Sequence, residues 1–309
     1  MSQLAVKPRS STSRLQTHVA RLEQEHPPLD VASVDFTVRR PRKVIERYGR
    51  VLDYMARTEL EVERNVRELD VLMPDPPELD QYFYRHVWGP QELQHGLILD
   101  RLQAELGLPL SAPNVSTIPL KLRVLGGIAH VAAVQDVVRM LYYLTGMTTE
   151  RSAVLAYQHL HEGLVAMGED AIADTAVAPI RRQEPGHYAY YQMSARQLWA
   201  RLSPWQQWLT RRLRSISFAP VGANSSQELR QVGDMMLAFD IRERAEIDEF
   251  ARTVARSETE LLWAQEAGLG APSYVADAFA RCLELARTQP PLHEPCFHGR
   301  VALLDAEDA

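Results

Sequence analysis

Cysteine is nearly absent. Cys282 and Cys296 are the two in 309 residues, too few for a disulfide framework. The amino terminus has no charged segment followed by an apolar one, as an export signal requires, so a reducing, cytoplasmic setting is expected. No stretch approaches the roughly eighteen uninterrupted apolar residues that span a bilayer, and no membrane span is expected. Fifteen glycines and nineteen prolines are few for a turn-rich all-β protein. The net charge of −6 disfavours nucleic acid as a partner. Two basic clusters stand against that average, Arg39, Arg40, Arg42 and Lys43, then Arg211, Arg212 and Arg214.

What is present favours helix. The chain is 46% hydrophobic, enough for a large core, and Leu, Ala, Arg, Glu and Gln dominate its longer segments. An all-α fold is expected, with residues 1–40 as an amino-terminal arm, 41–288 as the helical domain and 289–309 as a tail. Ile45, Tyr48, Leu52, Met55, Val62, Val66 and Leu69 recur in steps of three and four, the stripe of one long amphipathic helix, and Glu59 fills the gap between Met55 and Val62. "MPDPPELD" breaks it. A second stripe runs Trp88, Glu92, His95, Leu99, Leu102 and Leu106. A third contains Met140, Tyr143, Met147, Glu150, Val154, Tyr157, His161 and Leu164. After a turn at "MGED" the fourth is Val177, Ile180, Glu184, His187, Tyr191 and Leu198.

Ten histidines among forty acidic residues give about one acidic-x-x-His by chance, so "ELQH" and "EPGH" mean little alone. Their register changes that. Glu59, Glu92, His95, Glu150, Glu184 and His187 all fall in apolar stripes. A buried carboxylate costs several kcal/mol unless paired or metal-bound. One Glu from each of two helices and Glu-x-x-His from each of the other two is the ligand set of a dinuclear carboxylate site in a four-helix bundle. Glu61 and Glu63 are the alternatives to Glu59. The segment "QVGDMMLAFDIRERAEIDEFARTVARSETELLWAQEAG" has few breakers and predicts a long helix or helical pair after the bundle. "HEPCFHG" carries metal-ligand residue types without metal-site spacing.

These residues resemble the ferritin-like superfamily and, within it, the acyl-carrier-protein desaturases. That family has a Trp four residues before a metal Glu, then His-Gly; here Trp88 to Gly96 read "WGPQELQHG". "TERSA", Thr149 to Ala153, is similar to its Gln-Glu-Arg-Ala-Thr, "QEPGH" to its Asp-Glu-x-x-His, and "RRLRSISFAP" to its basic helix. The resemblance covers about residues 45 to 270. It implies a ferritin-like four-helix bundle with additional C-terminal helices, and two iron ions, manganese being the alternative occupant of one site. It also implies dioxygen as co-substrate, an external electron donor such as a ferredoxin, and a homodimer. Glu59 and His95 would serve one iron, His187 with Glu184 or Glu150 the other, and Glu92 with one further glutamate would bridge.

The implied activity is that of an oxygen-activating oxidoreductase, desaturase or oxygenase. Its substrate would be apolar, free or tethered to an acyl carrier protein, and would lie among Tyr143, Met147, Val154 and Tyr157, with Arg211, Arg212 and Arg214 facing the carrier. A small free amine or amino-acid-like substrate is the alternative, as are metal storage and a ferritin-like protein without catalysis. The chain departs from the family at Ala153, where a Thr is expected, at Gln183, where an acidic residue is expected, and at Pro185-Gly186 between two ligands.

Overall fold

Pro41 stands in the first turn of a helix, where its missing N–H costs nothing, and from there the chain is helical nearly throughout. The structure is a computed structural model that describes residues 11–223, 225–264 and 270–289. The helices are α1 (Ser11–Glu25), α2 (Pro41–Leu60), α3 (Val62–Leu72), α4 (Glu78–Tyr82), α5 (Gly89–Glu105), α6 (Leu120–Ala129), α7 (Ala132–Ala166), α8 (Asp170–Ile172), α9 (Ala178–Trp199), α10 (Pro204–Ser217), α11 (Ser226–Ala238), α12 (Arg244–Glu258) and α13 (Ser273–Thr288). No strand occurs among the described residues, so the fold is all-α. No described helix is long and apolar enough to cross a membrane.

The predicted stripes are the buried faces. Ile45, Tyr48, Leu52 and Met55 of α2 pack with Ile98, Leu99 and Leu102 of α5 and with Tyr157, Leu160 and Leu164 of α7. α2 runs beside α5 and α7 beside α9. The long helix expected from Pro41 through Leu69 is instead two. The dihedral angles leave the helical region at Glu61 (φ −77°, ψ 7°), whose buried carboxylate pairs with Arg64 at 2.6 Å and accepts from the Asn114 backbone N–H at 3.0 Å. A buried charge finding local partners outweighs continuity of the helix.

The amino-terminal arm contains a helix, α1. α1 buries Leu15, Val19 and Leu22, and it packs on α9. Against α2 and α7, α11 to α13 form a further layer in which Val232, Met236, Val254 and Phe279 join the core. The predicted helix or pair is a pair. It breaks near Asp240 (φ 60°), and capping boxes at Ser225/Glu228 and Glu243/Glu246 start its members. "HEPCFHG" and Cys296 lie outside the described residues.

Candidate metal centre

Each Glu-x-x-His helix is entered through a π turn, Phe83–Trp88 before α5 and Ala173–Val177 before α9. The Gly89 N–H reaches Tyr84 O and the Ala178 N–H reaches Ala173 O, five residues back, and in both cases the next residue is proline. π turns are rare and frequently occur at functional sites, and a third one here, Thr259–Trp263, precedes no such motif. Having one ahead of each motif gives the chain an internal repeat that its sequence only hints at.

From these entries the six residues converge. Glu59 comes from the end of α2, Glu92 and His95 from α5, Glu150 from the middle of α7, and Glu184 and His187 from α9. Two groups form, Glu59, Glu92, His95 and Glu184, then Glu92, Glu150, Glu184 and His187. Within each group the ligand atoms lie within 4.8 Å of one another. Glu92 and Glu184 belong to both. His95 Nδ1 is 3.1 Å from Glu184 and 3.6 Å from Glu92, and His187 Nδ1 is 2.7 Å from Glu92. The alternatives to Glu59 are elsewhere, since Glu61 is tied to its arginines and Glu63 is exposed.

Burial pushes Glu59 and Glu150 well above the usual carboxylate range, and the charge of Glu92 adds to it. Burial would raise Glu92 too, but hydrogen bonding to Glu59 and the proximity of His187 hold it well below. Burial lowers the imidazoles, yet the carboxylates outweigh it: Glu184 and Glu92 bring His95 up to about 9, and Glu92 with Glu184 and Glu150 holds His187 well above the usual imidazole range. Protein atoms alone leave the cluster unsatisfied. Glu92 Oε1, both Glu184 oxygens and the Nδ1 atoms of His95 and His187 are buried and form no hydrogen bond, their nearest contacts being one another, His187 Nδ1 to Glu92 Oε1 at 2.7 Å and His95 Nδ1 to Glu184 Oε1 at 3.1 Å. An orphaned buried polar atom costs about 1–3 kcal/mol, more when charged. Five such atoms gathered together, all carboxylate oxygen or imidazole nitrogen, could hold a divalent metal ion.

Outer groups hold the carboxylates. The Trp88 indole N–H donates to Glu150 at 3.1 Å and the Tyr157 hydroxyl to Glu59 at 2.6 Å. Ser152 does not replace the missing Thr, because its hydroxyl donates to Thr148 O at 2.9 Å. Neither Gln91 nor Tyr157 was assigned a role at the metals by sequence reasoning; both touch ligands. Gln91 Oε1 lies 2.6 Å from His187 Nε2 and Gln183 Oε1 lies 2.7 Å from His95 Nε2. The available signal was that Gln precedes Glu in both motifs.

Pro185 and Gly186 do not interrupt α9. Gly186 lets α1 approach, because a Cβ there would sit 2.3 Å from Leu22 Cδ2. Gly186→Ala is therefore expected to force α1 outward and destabilise the protein by about 1–3 kcal/mol, read in thermal melts against Ala189→Gly as a helix-propensity control.

A cavity of about 80 Å³ adjoins the cluster on the side of Glu59, Trp88, Glu150 and Tyr157. It continues into an outer chamber of about 210 Å³, with Asn65, Thr149 and Val221 lining both. Val221 has φ 51°, a left-handed conformation strained for a β-branched residue. Tyr157 lines the cavity as expected. Tyr143 and Met147 do not; they are core residues, and Tyr143 bonds to buried Asp80. Val154 is not part of the lining either.

The arginine cluster is not the expected docking face. Arg214 is 1% exposed and ion-paired to Glu258, and Arg211 lies over the rings of Trp199 and Trp263 at 5.4 and 5.9 Å. Of the three, Arg212 alone is fully exposed. No protein-family model, curated protein or solved structure matches the chain.

Proposed function

We propose that this chain is a ferritin-like oxidoreductase in which two iron ions, held by Glu59, Glu92, His95, Glu150, Glu184 and His187, activate dioxygen to oxidise a small organic substrate. The observation that carries the reading is the set of five orphaned ligand atoms converging from α5 and α9. Bound ferrous ions would supply electrons to dioxygen, and an external donor such as a ferredoxin would restore them. The protein's part is geometric. Glu92 and Glu184, common to both groups, would be shared between the metals, while Glu59 and Glu150 would each serve one, steadied by Tyr157 and Trp88. The buried imidazoles exclude water on one side, and the cavity admits substrate on the other.

A free substrate is preferred to one on an acyl carrier protein, because burial of Arg214 and stacking of Arg211 remove the basic face expected at that cluster, and Arg39, Arg40, Arg42 and Lys43 are the exposed basic cluster that remains. Anaerobic loading with Fe2+, then oxygen with free amines, fatty acids and acyl-carrier thioesters side by side, tests all three classes. Substrate-dependent oxygen uptake with an oxidised product is the expected outcome. Iron oxidation with no organic product from any class would instead indicate storage. Ala153→Leu, which narrows the cavity beside the cluster, should leave two metals bound and cut product formation by about tenfold or more; loss of metal in that variant would count against the assignment of this cavity.

A further inference from the structure

The amide polarity of Gln91 and Gln183 follows from the amino-terminal segment. Gln91 Nε2 donates to His26 O, and Gln183 Nε2 donates to Pro27 O at 2.9 Å. A carbonyl oxygen can only accept, so in both side chains the NH₂ faces the arm and the oxygen must face inward. That oxygen in turn can only accept, so His95 and His187 carry their proton on Nε2, 2.7 and 2.6 Å away. Nδ1 is thus the ring nitrogen that faces the carboxylates in both, 3.1 Å from Glu184 in His95 and 2.7 Å from Glu92 in His187. Each glutamine comes from one motif and bonds the histidine of the other, so two consecutive arm carbonyls fix both imidazoles through a crossed pair of amides. α1 seats that loop. Leu22 packs over Gly186, and His18 Nε2 donates to Gly186 O at 2.9 Å.

We propose that the segment from α1 through Pro27 is an outer part of the metal site, with Gln91 and Gln183 as positioning residues that present both imidazoles to the metals through Nδ1. It rests on the metal reading above. Both contacts are neutral, so orientation is supplied without adding charge to a site that already holds four carboxylates. Coupling is reciprocal. A strap that orders the ligands must itself be ordered when metal binds.

Co2+, followed by its visible absorption, is the probe, on the full chain. Gln91→Leu and Gln183→Leu should each weaken Co2+ binding by about 10- to 100-fold. In Zn2+-loaded protein labelled with 15N-histidine, they should remove the slowly exchanging Nε2–H signals of His95 and His187. Leu22→Ala, which touches no ligand, should still weaken Co2+ by about fivefold or more. Co2+ should slow hydrogen exchange across residues 14–27 of the wild type. Should the glutamine variants fail to fold, Leu22→Ala and wild-type exchange decide the matter. Wild type that binds Co2+ with no added protection of residues 14–27, or Leu22→Ala that binds it as tightly as wild type, overturns the strap and leaves the metal site standing. Wild type that binds no Co2+ removes the metal reading and the strap together.

Discussion

Glu92→Ala is expected to abolish metal binding altogether, and His187→Ala to leave at most one ion per chain. Glu92 contributes to both ligand groups, whereas His187 is the single nitrogen donor of the second. Without Glu92, His95 Nδ1 keeps Glu184 at 3.1 Å but His187 Nδ1 loses its nearest carboxylate, 2.7 Å away, and is left with Glu150 and Glu184, each at 3.8 Å. Metal analysis after anaerobic loading and desalting reads the difference. A second reading comes from linkage. A ligand present at 100 times its Kd stabilises the folded state by about 2.7 kcal/mol, so wild type should melt higher with Fe2+ than without. Glu92→Ala should melt at one temperature in both conditions. A full complement of metal in Glu92→Ala would refute the shared-carboxylate geometry.

The ligand positions were legible because burial and chemistry conflict there. Glu59, Glu92, Glu150 and Glu184 occupy positions where the helical period demands an apolar residue, a disagreement visible in one dimension. Hidden from the sequence was everything that depends on a partner far along the chain. Gln183 reads as the loss of a charge until Pro27 O is seen beside it, 156 residues away. Pro185-Gly186 reads as a helix breaker until Leu22 is found to need the missing Cβ. The break at Glu61 arose similarly, from a loop N–H at Asn114. Periodicity says which face of a helix is buried, but not what covers it. Composition misled most at Arg211, Arg212 and Arg214, where basic residues in a row suggest a solvated face.

Arg214 supplies the second large expected effect. Its guanidinium spans the Glu258 carboxylate at 2.8 to 3.1 Å and also donates to Thr145 Oγ1, Thr148 Oγ1 and Leu144 O at 3.0, 2.9 and 3.3 Å. Tyr274 donates to the same carboxylate. One ion pair thus joins α10 and α12 to α7 and α13, with Arg214 1% and Glu258 0% exposed. Removing either partner strands a buried charge, which costs about 3–5 kcal/mol. Arg214→Met or Glu258→Gln alone should therefore lower Tm by roughly 10 °C. In a cycle closed with Glu258→Leu alone, Arg214→Met with Glu258→Leu removes both charges together and should cost no more than either single change, a coupling of about 3–5 kcal/mol. Additive losses would mean that the pair is not the source of the cost. Thr148 lies two residues before Glu150 on α7, so the single variants should also load metal less completely, and the repaired double variant should regain it. Charge reversal at Arg214 would accordingly report on folding, and Arg212 is the position of the three where reversal tests an acidic carrier. An unchanged response to acyl carrier protein in Arg212→Glu is the expected result, consistent with a free substrate.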